Sequence, residues 1–266
     1  MINLYIVYFA ILSFIGYIYE CTAMVLWTGK WDNRGFLFGP IIPIYGFAAM
    51  LGTIFLNYFY PNYTPLFIFV LAVFSSAILE YIVHWTLEKI FHAHWWDYSK
   101  APLNINGRIS LFTSLGFGVA GLVVIYIINP FVFKILNAMS DVTLNILAII
   151  FVALLSADIT LSVSVISSFI NIVTSFDDSI NETMDEFVNN HMSENLKLND
   201  KFFNAVDKFD DVRKKLFNDR IDRAKKNNNN IFYKRILNRI KGFEGTGSNV
   251  LNKTLNKLKD EDKHEW

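Results

Sequence analysis

Apolar residues fill five long stretches in the first two-thirds of the chain, and polar residues gather in the gaps between them. A helix crosses the ~30 Å hydrocarbon core with about 20 apolar residues, each rising about 1.5 Å. Ile2 to Trp27 meets that length and carries one charge, Glu20. A polar turn, Thr28 to Arg34, leads to a second span from about Phe38 to Phe59. Pro40 and Pro43 lie near its start, where proline is tolerated. Pro61-Asn62-Tyr63-Thr64-Pro65 reads as a tight break, followed by a third span, about Leu66 to Leu87, that contains Glu80. A long polar loop, Glu88 to Gly107, leads to a fourth span from about Ile109 to Ile128, closed by Asn129-Pro130. Ser140-Asp141 caps the fifth, about Leu144 to Val173, which at about 45 Å is longer than a membrane needs and is expected to continue into water.

The remainder, 174–266, has a different pattern. Ser179 and Glu182 fit a capping box. Phe202, Val206, Phe209, Val212 and Leu216 recur every three or four residues, and Phe232, Ile236, Ile240 and Phe243 repeat the pattern, so each stretch predicts a helix with one apolar face. Asn227 to Asn230 reads as a break and Gly242 to Gly247 as a flexible link. The expected fold is therefore all-α: a polytopic bundle of about five spans over 1–173, then a cytoplasmic, amphipathic, coiled-coil-like tail over 174–266. The basic run Arg213, Lys214, Lys215, Arg220, Arg223, Lys225 and Lys226 suits an anionic lipid surface, while the interleaved acids suit a solvated hairpin.

Charge sharpens this division. The net charge is zero, yet between Met1 and Val173 the basic residues are only Lys30, Arg34, Lys89, Lys100, Arg108 and Lys134. Five of them fall in the two loops that share a side with the tail, and Lys134 falls opposite. The positive-inside rule then sets the N-terminus outside and the tail in the cytoplasm of a cell membrane. The first apolar run has no basic region before it and is long enough to span, so it is expected to be retained as a helix. The single cysteine, Cys21, leaves no intrachain disulfide framework.

Ionisable groups cost about 3 kcal/mol each at the centre of a spanning helix, so they face a protein interior or a water-filled cavity. Glu20, Glu80 and Asp158 lie within spans, and Arg34 and Arg108 stand at the mouths of two others. With the orientation above, all five fall in the cytoplasmic half and predict one polar cluster or vestibule. Three acids face two arginines, so one carboxylate could relay protons or bind a cation. The plainer alternative is that Glu20 and Glu80 pair with Arg34 and Arg108 to lock helices together.

Glu80, His84, Glu88 and His92 step by four residues, and His92 and His94 form H-x-H, but no compact ligand set or second cysteine supports a metal. Trp95, Trp96 and Asp97 suit either an interfacial aromatic belt or a lid and platform for a ligand head group. Gly107 could take positive φ beside Arg108, a candidate anion or carboxylate grip. Gly116, Gly118 and Gly121 would allow close helix approach. No P-loop, G-x-S-x-G or H-E-x-x-H is present, and no cofactor or nucleic-acid partner is expected.

Several segments taken together carry a resemblance: Gly16-Tyr17-Ile18-Tyr19-Glu20, Arg34-Gly35-Phe36-Leu37-Phe38-Gly39-Pro40, Pro43-Ile44-Tyr45-Gly46, Glu80-Tyr81, Trp95-Trp96-Asp97-Tyr98-Ser99, Asn106-Gly107-Arg108-Ile109 and Phe117-Gly118. In order and spacing they resemble the ABC-transporter type IV permease family, over about 120 residues of the membrane part. The resemblance implies a bacterial multi-pass membrane protein with a transport role. The expected function is a permease-like component, acting as a homo-oligomer or with a separate ATPase subunit, surrounded by membrane lipid. The alternatives are an intramembrane enzyme acting on a lipid or isoprenoid, with Glu80 or Asp97 as acid or base, and a scaffold or sensor acting through the tail.

Overall fold

A computed structural model of the protein describes residues 2–29, 34–60, 62–192 and 239–243. The described residues are mostly helical: α1 Ile2–Thr28, α2 Pro43–Phe59, α3 Pro65–Phe91, α4 Leu111–Val123, a π-helical turn Val124–Ile128, α5 Asn129–Ala138 and α6 Asp141–Met192. Four two-residue strands accompany them: β1 Ala93–His94, β2 Asn104–Ile105, β3 Ile109–Ser110 and β4 Gly242–Phe243. By length and composition four helical stretches can cross a membrane, Ile2–Leu26, Pro65–Phe91, Leu111–Ala138 and Asp141–Ser168, and α2 is a shorter apolar helix beside them. The protein is a multi-pass membrane protein. The chain divides into two compact units, residues 1–163 with 238–244, and residues 164–237 with 245–266.

In the first unit α1 packs along α2, and α3 along α4. Gly118 and Gly121 make the second contact close: a Cβ at either would lie 2.6–2.7 Å from Phe69, Val73 or Ala72, whereas Gly116 has open space. Val7, Tyr8 and Leu12 of α1 form a core with Val132 and Leu136 of α5 and Leu144 and Ala148 of α6. Thr64 caps α3, its side chain accepting from the Phe67 amide, and Ser140 accepts from Thr143 at the start of α6.

Four boundaries differ from expectation. The second span does not begin at Phe38. Residues 34–42 are irregular and α2 starts at Pro43, which sits at a first helical position, where its missing N–H costs nothing. Asn129-Pro130 does not end the fourth span, because the π-helical turn just before it absorbs the proline and the helix continues to Ala138. Ser179 and Glu182 lie inside the uninterrupted α6 and so do not start a helix. Phe243 does not extend a helical face: Gly242–Phe243 is a strand paired antiparallel with β1, so the expected flexible link is ordered at its first two residues. The predicted face from Phe202 to Leu216, Phe232, Ile236, the basic run and the Asn227–Asn230 break lie outside the described residues.

Candidate functional site

The irregular stretch from Arg34 to Ile42 runs deep among the helices. The Ile42 amide donates to the Ser13 carbonyl, halfway along α1, at 3.0 Å. Non-helical backbone at membrane depth must find partners inside the protein. Here Asp158 supplies them: its two carboxylate oxygens accept from the Phe38 and Gly39 amides at 2.8 Å each. Ser162, one turn along α6, donates to the same carboxylate at 3.2 Å. The fit requires glycine at 39, since a Cβ there would stand 2.7 Å from an Asp158 oxygen. Arg239 donates to the carbonyls of Gly35, at 3.3 Å, and Leu37.

At the start of the same stretch, Arg34 pairs with Glu20 of α1 at 3.6 Å. The Tyr45 hydroxyl, from the first turn of α2, donates to the other Glu20 oxygen at 2.7 Å. Glu80 of α3 is only 6% exposed. One of its oxygens accepts a long bond, 3.4 Å, from the Tyr98 hydroxyl, and the other has no partner among the described residues. Burial, and after it the carboxylates of Glu80 and Glu20, push the Tyr98 phenol above its ordinary value, with Arg34 opposing. Tyr98 therefore stays a hydroxyl donor at neutral pH. Tyr98 feels the charge of both acids and of Arg34, so residues from α1, α3 and two loops contribute to one polar cluster, the chamber.

Arg108 does not pair with Glu80. It takes Glu88, the residue just beyond the expected end of the third span, with bonds of 2.7 and 3.2 Å, and donates to the Tyr81 hydroxyl at 2.8 Å. Burial weighs against its charge, but the Glu88 carboxylate outweighs that and raises its affinity for the proton. Glu88 lies 3.7 Å from His84, whose other ring nitrogen stands 3.2 Å from the Trp96 carbonyl. Trp96 closes the circuit, its indole donating to the Arg108 carbonyl at 3.0 Å.

These bonds fold the 92–110 loop into a cap. Asn106 and Gly107 both take positive φ, +53° and +68°, in the turn joining β2 to β3. Trp95 is buried against Phe36 and Phe91. Asp97 accepts from the Ser99 amide at 2.8 Å; burial opposes its charge, but the Ser99 bonds together with the nearby His94 and His84 outweigh it and hold its carboxyl below the usual range. Burial pulls His94 below the ordinary histidine value, against the attraction of Asp97 and Glu88. Among the described residues no three His, Cys, Asp or Glu gather in a metal-holding group.

The structure thus brings Glu20, Arg34 and Glu80 together, joins Arg108, His84 and Trp96 in a neighbouring network, turns Asp97 into its own loop, buries Trp95 in an aromatic contact, and sets Asp158 against the 38–39 backbone. The sequence alone does not mark Tyr45, Tyr98, Ser162 or Arg239 as site residues. Tyr98 lies within the Trp-Trp-Asp-Tyr-Ser segment, where the tryptophans and Asp97 carry the more obvious chemistry. An apolar cavity of about 110 Å³ lies beside the chamber, lined by Tyr45, Gly52, Leu56, Ala72, Phe117 and Val124 among others.

Comparison with curated proteins and with solved structures finds no match. Residues 7–163, the region that holds all of these contacts except those of Arg239 and β4, match the family described as Putative ABC-transporter type IV. That stretch is more than half of the chain, and the protein belongs to this family.

Proposed function

We propose that the protein is a permease-like transport component whose Glu20/Arg34/Glu80/Tyr98 chamber is a vestibule on the cytoplasmic side, with energy supplied by a separate ATPase subunit. The carrying observation is Glu80. A carboxyl group so deeply buried, with one oxygen left without a donor among the described residues, is costly to the fold and rare unless it has work to do. The irregular 34–42 connection between α1 and α2 carries Arg34 to this group, and non-helical backbone at membrane depth is the kind of element that lines polar sites in transporters. The positive-inside rule puts the N-terminus outside and residues 174–266 in the cytoplasm.

The test is purification from native membrane in mild detergent, followed by transport assays in loaded vesicles. An ATPase subunit should accompany the protein and drive ATP-dependent movement. Vesicles that stay flat, with no ATPase ever recovered, would remove this function.

The cavity bounded by Tyr45 favours a second reading, in which a lipid or isoprenoid chain occupies it and its head group meets Glu20 and Arg34. Lipid analysis of a deletion strain separates the two, since an unchanged lipid profile excludes lipid chemistry.

A further inference from the structure

Five residues far along the chain, Arg239 to Phe243, belong to the first compact unit. Arg239, Ile240 and Phe243 are 5%, 0% and 4% exposed. Phe243 and Gly242 pair antiparallel with Ala93 and His94, and the Lys241 amide donates to the His94 carbonyl at 2.8 Å. Arg239 reaches the Gly35 and Leu37 carbonyls, next to the Phe38 and Gly39 amides that Asp158 holds. The segment therefore uses three modes of peptide recognition at once: strand addition, apolar burial, and one guanidinium nitrogen shared between two backbone carbonyls.

We propose that the Gly35, Leu37, Ala93 and His94 backbone forms a peptide-docking site, that the chain's own Arg239–Phe243 strap occupies it, and that the docked strap fixes the 34–42 segment at the mouth of the chamber. Arg239 clamps one side of this segment through its carbonyls, and Asp158 clamps the other through its amides. Release of the strap frees the first clamp, so whatever draws the tail away loosens the backbone that separates Glu20 from Asp158 along the chain. The strap regulates passage only if the transport reading holds; the docking itself does not depend on it.

The full-length protein in detergent tests this with Ala93→Cys and Phe243→Cys, which occupy paired strand positions, and buried Cys21 left in place. Thr64→Cys with Phe243→Cys is the control, because Thr64 lies a full α3 away from β1, about 40 Å along the helix. Under mild oxidation the first pair should form a disulfide within one chain, so that fragments cut by protease inside 193–237 stay joined until reduction. Arg239→Ala should slow that bond, and should speed hydrogen exchange of peptide 34–42, each at least about tenfold, as expected for two lost charged hydrogen bonds. Should Arg239→Ala not fold, the oxidised double-cysteine protein should still exchange 34–42 more slowly than its reduced form. A bond no faster than the control, a bond joining two chains, or exchange indifferent to Arg239 and to the disulfide would overturn the proposal. Neither readout uses transport. A failed strap leaves the Glu80 vestibule standing, and a docked strap in a protein without transport removes the vestibule alone.

Discussion

Two of the polar groups described in the bundle have opposite character. Between α1, α2 and α5, the Tyr8 hydroxyl donates to Asn129 Oδ1 at 2.6 Å, and Asn129 Nδ2 donates to Thr53 Oγ1 at 2.9 Å. With the Tyr8 proton committed to Asn129, Thr53 donates back to the Tyr8 oxygen at 3.1 Å. The ring is neutral, buried and closed. The chamber of Glu20, Arg34, Tyr45, Glu80 and Tyr98 is charged and open, for Glu80 keeps an oxygen without a donor among the described residues. A closed ring of this kind has its whole chemistry spent on joining three helices. An open one keeps capacity for a ligand or a proton, and that difference separates fold from function here more clearly than charge does. Asp158 is charged and yet belongs with the closed group, because backbone amides and Ser162 engage its oxygens.

This division can be broken by substitution. Asp158→Ala should be the most damaging change, leaving two amides without an acceptor at membrane depth, at about 4 kcal/mol in total. Thermal melting in detergent, or loss of folded protein from the membrane, would show it. Gly39→Ala should act in the same direction by collision with Asp158, at about 2 kcal/mol. If both variants melt like the parent, the 34–42 segment is not held as described.

Tyr8→Phe should come next. It leaves the Asn129 carbonyl and the Thr53 hydroxyl short of a partner and should cost about 1–2 kcal/mol. Any activity should survive in the fraction that stays folded. Loss of function without loss of stability would move Tyr8 out of the structural group and blur the contrast.

The smallest effect concerns the cap. Burial holds folded His94 below its ordinary value of 6.5, against Asp97 and Glu88, so the unfolded chain binds the proton more readily. His94 thus favours folding fully above that value, and the advantage is lost as pH falls through the folded value. Melting temperature should decline from about pH 7.5 to about pH 5.5, and less steeply in His94→Gln. Equal slopes in both proteins would show that His94 does not titrate on unfolding.

Much of this architecture can be read in the sequence, and the exceptions have physical causes. The apolar runs of α1, α3 and α6 mark themselves by length alone. The 34–42 segment does not, because Gly-Phe-Leu-Phe-Gly-Pro is as apolar as the start of a span. What makes it irregular is Pro43 setting the helix start and Asp158, far along the chain, holding the amides. Asn129-Pro130 has the composition of a helix end, and only the π-helical turn, a matter of backbone register, turns it into a continuation. The residues of the charged cluster stand out from the sequence, and so does the Glu20–Arg34 pair. Arg108's choice of Glu88 over Glu80 depends on how the 92–110 loop folds, which in turn depends on the Asn106-Gly107 turn and the Trp96 bond. Arg239 was hidden inside what reads as an amphipathic helix.

Glu80 is proposed to serve function and not fold, and Glu80→Gln separates the two because glutamine keeps the shape and removes the ionisable group. The measurement is rescue of a deletion strain by this variant, normalised to the folded protein in its membranes. A normal amount of folded protein and no rescue are expected. Full rescue, or a failure no greater than the loss of folded protein, would contradict that role.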